Sequence, residues 1–179
     1  MHTISVYSVL RCTMMIFFPA AAAYADLRTG RIPNALTFSF FGLSLLLRIL
    51  ENGPAGLLLF CVGASPAFLL LIAYRFRMIG AGDIKLLLCV GSLWSFRESL
   101  LILFAILLCG GVFSLLRMYR YHMFSERFGY FFRYLQTVCR SGTILPYRKS
   151  GRRPENLPFA VPVFVGSLIF LWVKLCADL

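Results

Sequence analysis

The fold of this 179-residue chain is decided by Gly80-Ala81-Gly82-Asp83-Ile84-Lys85, a polar stretch at the mouth of an apolar run. An ionisable residue at the edge of a bilayer is costly, which makes Asp83 a candidate functional residue. Gly82 would let the backbone approach another chain closely or adopt a positive φ. Taken alone, Asp83 is explained equally well as a helix-capping residue, favoured by the helix dipole, beside a lysine that extends toward water.

The composition around this stretch is that of a membrane protein. Hydrophobic residues make up 60% of the chain and charged residues 14%, against roughly 45–50% and about 25% in soluble domains. Six apolar segments are long enough, or nearly so, to cross a hydrocarbon core of about 30 Å. They are residues 4–25, 34–50, 54–74, 83–97, 99–118 and 157–175. The sequence predicts one all-α polytopic membrane domain over residues 1–179, with about six transmembrane helices.

The basic residues are distributed unevenly between the two sides of this predicted bundle. Of the eighteen lysines and arginines, fourteen lie in the connections after the first, third and fifth segments. Such an asymmetry places those connections in the cytoplasm and the N-terminus outside. The formal net charge of +11 is thereby explained by membrane topology, and we expect no nucleic-acid partner.

The longest connection, residues 119–156, is both basic and rich in aromatic residues. Its apolar residues recur at helical spacing, at Phe124, Phe128, Phe131, Phe132 and Leu135. A basic amphipathic helix lies in the plane of an anionic membrane surface. We therefore predict a cytoplasmic interfacial helix that binds anionic lipids through residues 119–153.

The cysteines do not have the spacing of a metal site or a disulfide framework. The six cysteines form no C-x-x-C pair and most lie in apolar runs, so we predict no metal site, no disulfide framework and no cofactor.

In the N-terminal segment, Ala23-Tyr24-Ala25 resembles the cleavage site of a secretory signal. Cleavage there would place Arg28 and Arg31 outside, against the charge asymmetry. We favour a retained first helix, in which Arg11 extends toward the outer surface.

A second aspartate, Asp26, lies in a polar segment, residues 26–34, that we predict to be a turn. Gly30 suits a helix stop, and Pro33 suits the start of the next helix. By itself Asp26 is explained as a solvated residue at a helix end, paired with Arg28 or Arg31.

The predicted topology brings the two aspartates together. Asp26 closes an odd-numbered helix and Asp83 opens an even-numbered one, so both lie at the same membrane face. Two neighbouring carboxyl groups cannot both ionise without a large cost in free energy, so they share one proton. One can then activate water while the other protonates the leaving group. This arrangement predicts aspartic-type hydrolysis of a peptide bond at a membrane surface.

Three segments carry a resemblance to the prepilin peptidases, also called type IV leader peptidases. Residues 80–86 resemble their G-x-G-D-x-K-L motif, and Asp26 followed by Ile32-Pro33-Asn34 resembles their first aspartate motif. Leu157-Pro158-Phe159-Ala160 resembles their last helical segment.

The resemblance implies an aspartic endopeptidase of the bacterial inner membrane that cuts the leaders of prepilins or pseudopilins at the cytoplasmic face. Asp26 and Asp83 match the catalytic pair, and Gly80, Gly82, Lys85, Pro33 and Asn34 match supporting positions. Many members also methylate the new N-terminus and carry a domain with two C-x-x-C pairs. This sequence has no such pairs, so we expect a short form limited to peptidase activity.

Two other functions remain open at this point. A presenilin-like intramembrane protease shares the G-x-G-D pattern, but its first aspartate lies within a helix. A small membrane transporter or assembly scaffold would use the acidic residues to bind ions, and would need a further polar group inside a span.

Overall fold

The computed structural model describes residues 6–75, 79–120, 129, 136 and 158–178. These residues form helices and contain no β-strand, which confirms the predicted all-α class. The helices are α1 (Val6–Thr29), α2 (Asn34–Asn52), α3 (Ala55–Phe68), α4 (Leu70–Arg75), α5 (Ala81–Ser92), α6 (Phe96–Arg120) and α7 (Ala160–Asp178).

Three helices, α1, α2 and α6, are long and apolar enough to cross a membrane. Two shorter apolar helices cover Ala55–Phe68 and Ala160–Cys176. The predicted fourth span, residues 83–97, corresponds to α5 of 12 residues, which is about 18 Å long and shorter than a hydrocarbon core. The predicted count of six spans is therefore not confirmed. The predicted interfacial helix lies almost entirely outside the described residues.

The predicted third span, residues 54–74, is interrupted at Leu69. α3 ends at Phe68, in the turn that contains Pro66, and α4 begins at Leu70. Proline has no N–H and its ring crowds the preceding turn. The Leu69 N–H donates to the carbonyl of Pro66 at 3.2 Å, which is the tighter i→i+3 pattern. Leu69 itself keeps helical dihedral angles, so the chain direction is preserved.

The connection between α1 and α2 is shorter than the sequence predicted. Asp26 lies within α1 and not in the connecting loop, because the helix continues to Thr29. Gly30 then adopts φ of +64° and donates its N–H to the carbonyl of Asp26 at 2.8 Å. This left-handed glycine ends the helix as predicted. Pro33 is the N-cap residue of α2, as its fixed φ favours.

The helices pack most closely at glycine residues, which have no side chain. α3 contacts α5, and both α1 and α6 contact α7. A Cβ atom on Gly63 would lie 2.2 Å from the carbonyl oxygen of Trp94 and 2.7 Å from that of Gly91. Only glycine permits this approach of α3 to the end of α5, as small residues do where membrane helices pack closely.

One end of the bundle is held by charged side chains around a buried indole. Arg11 forms an ion pair of 2.6 Å with Glu51, and Lys174 forms another with Glu98. Both cations lie over the ring of Trp94, at 5.7 Å for Arg11 and 4.7 Å for Lys174. Arg11 thus extends toward the bundle end that the charge distribution predicts to be outer, and it pairs there with Glu51. These contacts join α1, α2, α6 and α7 at the end opposite to Asp26 and Asp83.

Candidate active site

The two aspartates lie at the same end of the bundle. Asp26 belongs to the last turn of α1 and Asp83 to the first turn of α5. These two helices contact each other, and both carboxyl groups are partly buried. The tertiary structure therefore places the predicted pair on neighbouring helix ends.

Asp83 is held by the backbone just before its own helix. The Gly80 N–H donates to Oδ2 of Asp83 at 3.2 Å, which is the reach of an N3 carboxylate back to the N-cap amide. A Cβ atom on residue 80 would lie 3.0 Å from the same oxygen. Glycine at position 80 thus leaves room for the carboxylate to fold back over the helix start.

The environment of Asp83 favours its protonated form. Asp83 lies at the open end of α5, outside the candidate membrane spans. Burial raises its pKa to about 6, and the charge of Asp26 acts in the same direction against the hydrogen bond from Gly80. Loss of water disfavours a carboxylate, and a second carboxylate nearby disfavours it further. The charge of Asp26 is a smaller cause than burial, and its direction is the one expected for two carboxyl groups on neighbouring helix ends.

Asp26 is held by a different part of the chain. Its Oδ2 accepts a hydrogen bond of 3.2 Å from the backbone N–H of Ala160, the first residue of α7. Arg28, one of the predicted partners of Asp26, instead lies over the ring of Tyr24 at 4.6 Å. Each aspartate thus has one oxygen fixed by a backbone amide. The sequence did not identify the Ala160 amide as part of the site, although the segment that contains it was noted.

Lys85 and Asn34 connect the two sequence motifs. Nζ of Lys85 donates to Oδ1 of Asn34 at 3.2 Å and lies 5.9 Å from the ring of Phe38. Asn34 is the first residue of α2 and Lys85 lies at the start of the second turn of α5, so this hydrogen bond brings the two helix starts together. The supporting residues Pro33, Asn34 and Lys85 are thus brought together where the start of α2 meets α5.

Gly82 has no such role in the structure. Its φ is not positive, unlike those of Gly30 and Gly53, and a Cβ atom at position 82 would meet nothing within 4 Å. The predicted positive φ is therefore wrong, and the predicted close approach to another chain stays a prediction. Gly82 is exposed, and the space beside it is open.

A row of buried polar side chains fixes α5 against α2, and the sequence analysis missed it. Cys89 donates to the carbonyl of Thr37 at 3.5 Å, and the hydroxyls of Ser44 and Ser92 are 3.0 Å apart. Nε of Arg48 donates to the carbonyl of Ser92 at 3.3 Å. All five residues are buried. The polar positions 37, 44 and 48 share one face of an otherwise apolar helix, which is the signal that would have found them.

The groups that the site offers are two carboxyl groups, one lysine and backbone amides. Within the part of the chain that the structure describes, no group of three or more histidine, cysteine, aspartate or glutamate residues lies together. Two interacting carboxyl groups, one of them favouring its proton, are suited to general acid and base chemistry on water and a peptide bond.

Comparison with known proteins gives a family match and one curated relative. A model of the type IV leader peptidase family matches residues 13–115, a range that contains both aspartates. The prepilin peptidase EppA of Methanothermobacter thermautotrophicus is 34% identical over 102 residues, which cover 54% of this chain and 26% of that protein. The chain thus spans about a quarter of the length of this relative. No solved structure matches the chain.

Proposed function

This chain belongs to the type IV leader peptidase family, and we propose that it is a membrane aspartic endopeptidase that removes the leader of prepilin-like or pseudopilin substrates. Its family and its apolar helices identify it as a membrane protein. The substrate class is suggested by the name of the relative, a prepilin peptidase.

The observation that carries this proposal is the placement of Asp26 and Asp83. They lie 57 positions apart in sequence, yet they occupy neighbouring helix ends and interact electrostatically. A carboxyl group whose pKa lies near 6 still holds a proton at a pH where an ordinary aspartate has lost it. Aspartic-type hydrolysis requires two neighbouring carboxyl groups, one protonated and one not.

The proposed reaction assigns one role to each aspartate. Asp26 accepts a proton from water as the water oxygen attacks the carbonyl carbon of the scissile peptide bond. Asp83, which favours its proton, donates it to the leaving nitrogen as the C–N bond breaks. The products are a carboxylic acid and an amine, and the acid then passes its proton to the amine. The dyad still holds one proton, now on Asp26, and its transfer to Asp83 restores the starting state.

The proposed location follows from the charge distribution. Fourteen of the eighteen basic residues fall on the side of the α1–α2 connection, which places that side in the cytoplasm of the inner membrane. The dyad then faces the cytoplasm, where the leader of a prepilin is found, and the apolar segment of the substrate lies among the helices. Anionic lipids remain the proposed partner of residues 119–153.

The two other functions are less well supported. The helical position of Asp26 removes one argument against a presenilin-like protease, but the family match favours the leader peptidases. A transporter would need a polar group within a span, and Arg48 is one. Its guanidinium, however, donates to the backbone of α5 and contributes to helix packing.

The test is cleavage of a co-expressed prepilin-type substrate by wild type, Asp26→Asn and Asp83→Asn. Asparagine keeps the shape of each side chain and removes the acid. The chain offers a matched control in Asp178→Asn, its third and last aspartate, at the far end of α7. We expect wild type and the control to convert the substrate and both dyad variants to leave it uncut. Cleavage by either dyad variant would exclude the two-aspartate mechanism.

A further inference from the structure

The first turn of α7 contributes a backbone group to Asp26. The first N–H groups of any helix have no acceptor within that helix. At the start of α7, the N–H of Val161 donates to the carbonyl of Pro158 at 3.1 Å, and that of Val163 to the carbonyl of Phe159 at 3.3 Å. The N–H of Ala160 donates to Oδ2 of Asp26, 134 positions earlier in the chain. Asp26 therefore caps α7 from another helix.

This donor is fixed in place by the packing of α7. Ala160 is fully buried. A Cβ atom on Gly166 would lie 2.8 Å from Cα of Ile106, so the backbones of α7 and α6 approach closely. Near the start of α7, Phe159 and Pro162 border Gly110 of α6, at 3.6 and 3.9 Å from the position of a Cβ atom there. The amide that meets Asp26 thus belongs to an anchored segment.

We propose that the backbone N–H of Ala160 is a positioning group of the peptidase, which orients the carboxylate of Asp26 toward the attacking water. The hydrogen bond occupies Oδ2 and leaves Oδ1 to accept the proton of water. Asp83 is oriented in the same way, since its Oδ2 is held by the N–H of Gly80. The site then has three components, which are the two segments that carry the aspartates and the start of α7. This inference rests on the proposed function.

A purely structural cap would make a different prediction. A cap contributes to the stability of α7 and leaves the reaction of the folded enzyme unchanged. A positioning group changes the turnover of the bound substrate, because a misplaced catalytic group lowers the rate without weakening substrate binding. The ratio of the effects on kcat and KM separates the two roles.

The experiment replaces single backbone N–H groups by ester oxygens in enzyme made by cell-free synthesis into lipid nanodiscs. One variant carries lactic acid in place of Ala160, which removes the donor and keeps the methyl side chain. The matched control carries the hydroxy analogue of Val163, which removes the hydrogen bond to Phe159 in the same helix. Ala160→Gly keeps the N–H, and Ala160→Pro removes it. The probe is a peptide with a basic leader, a glycine and one apolar segment.

We expect the ester at 160 to lower kcat by about tenfold or more, as loss of a hydrogen bond to a charged group does, with KM within about twofold of wild type. The ester at 163 should retain kcat, and Ala160→Gly, which keeps the donor, should lose less of it than the ester at 160. Equal kcat for the two esters would overturn the proposal, and so would a loss at 160 that only follows the melting temperature. Ala160→Pro, if it folds, should match the ester at 160. A wild type that cleaves no such peptide contradicts the proposed function, and the inference falls with it.

Discussion

Lys85 donates a hydrogen bond from Nζ to Oδ1 of Asn34 at 3.2 Å, across 51 positions of sequence. The bond joins the first residue of α2 to the start of the second turn of α5. Lys85 lies two residues after Asp83, and Asn34 follows the short connection after Asp26. The contact therefore ties the start of α2 to α5, the helix that carries Asp83.

A double-mutant cycle on this contact tests its role. We expect Lys85→Met and Asn34→Ala each to lower kcat several-fold, because Asp83 is then less well placed, while unfolding free energy changes by less than about 1 kcal/mol at this exposed position. The double variant should be no worse than the worse single variant. Kinetic assays and thermal melts of all four proteins check this. Effects on kcat that simply multiply would show that the two side chains act independently.

Two glycines of one motif should respond differently to alanine. A Cβ atom at position 80 lies 3.0 Å from Oδ2 of Asp83, whereas one at position 82 meets nothing within 4 Å. Gly80→Ala should lower kcat by about tenfold through displacement of the carboxylate. Gly82→Ala lies inside α5 and should raise the unfolding free energy by about 0.5–1 kcal/mol. Melting curves and cleavage rates measure both, and wild-type kcat in Gly80→Ala would contradict the steric argument.

Stability should depend on pH through Asp83. Its pKa in the folded protein is raised to about 6 from its ordinary value of 3.8, so the folded state binds the proton more tightly than the unfolded chain. The stabilising contribution of that proton is present at low pH and is lost as the pH rises through about 6. At pH 8 the unfolding free energy of Asp83→Asn should therefore exceed that of wild type by about 1–2 kcal/mol, and its melting temperature should be higher.

The same comparison at pH 4.5 supplies the control, since the folded wild type then keeps Asp83 protonated and the difference should largely disappear. Differential scanning fluorimetry of detergent-solubilised protein at both pH values measures it. A difference of the same size at both pH values would mean that the proton on Asp83 has no part in it.

The close approach of α3 to the end of α5 should not tolerate a methyl group. Gly63→Ala would place Cβ 2.2 Å from the carbonyl oxygen of Trp94, a backbone atom that cannot move aside cheaply. We expect a loss of unfolding free energy of about 1–3 kcal/mol. Gly42→Ala is the matched control, because position 42 lies within α2 with nothing within 4 Å. Thermal melts that rank Gly63→Ala with or above Gly42→Ala would contradict the packing described for α3.

The sequence determined the class of the fold and the candidate residues of the site. Apolar segments of membrane length predict helices whatever their packing, and Gly30 and Pro33 end and begin helices through their own backbone preferences. The pairing of Asp26 with Asp83 also followed from counting helices, because alternate helix ends lie at the same face. Helix length was less certain. α5 proved shorter than its apolar run, and α1 proved longer, so that Asp26 lies in a helix and not in a turn.

Only the tertiary structure decided what holds the aspartates. Oδ2 of Asp83 is bound by a local amide that the sequence places nearby, but Oδ2 of Asp26 is bound by an amide 134 positions away. A backbone N–H is present at every residue except proline, so no sequence pattern indicates which one meets a side chain. That choice depends on how α7 packs between α1 and α6, and the packing depends on contacts such as Gly166 with Ile106 that bring distant segments together.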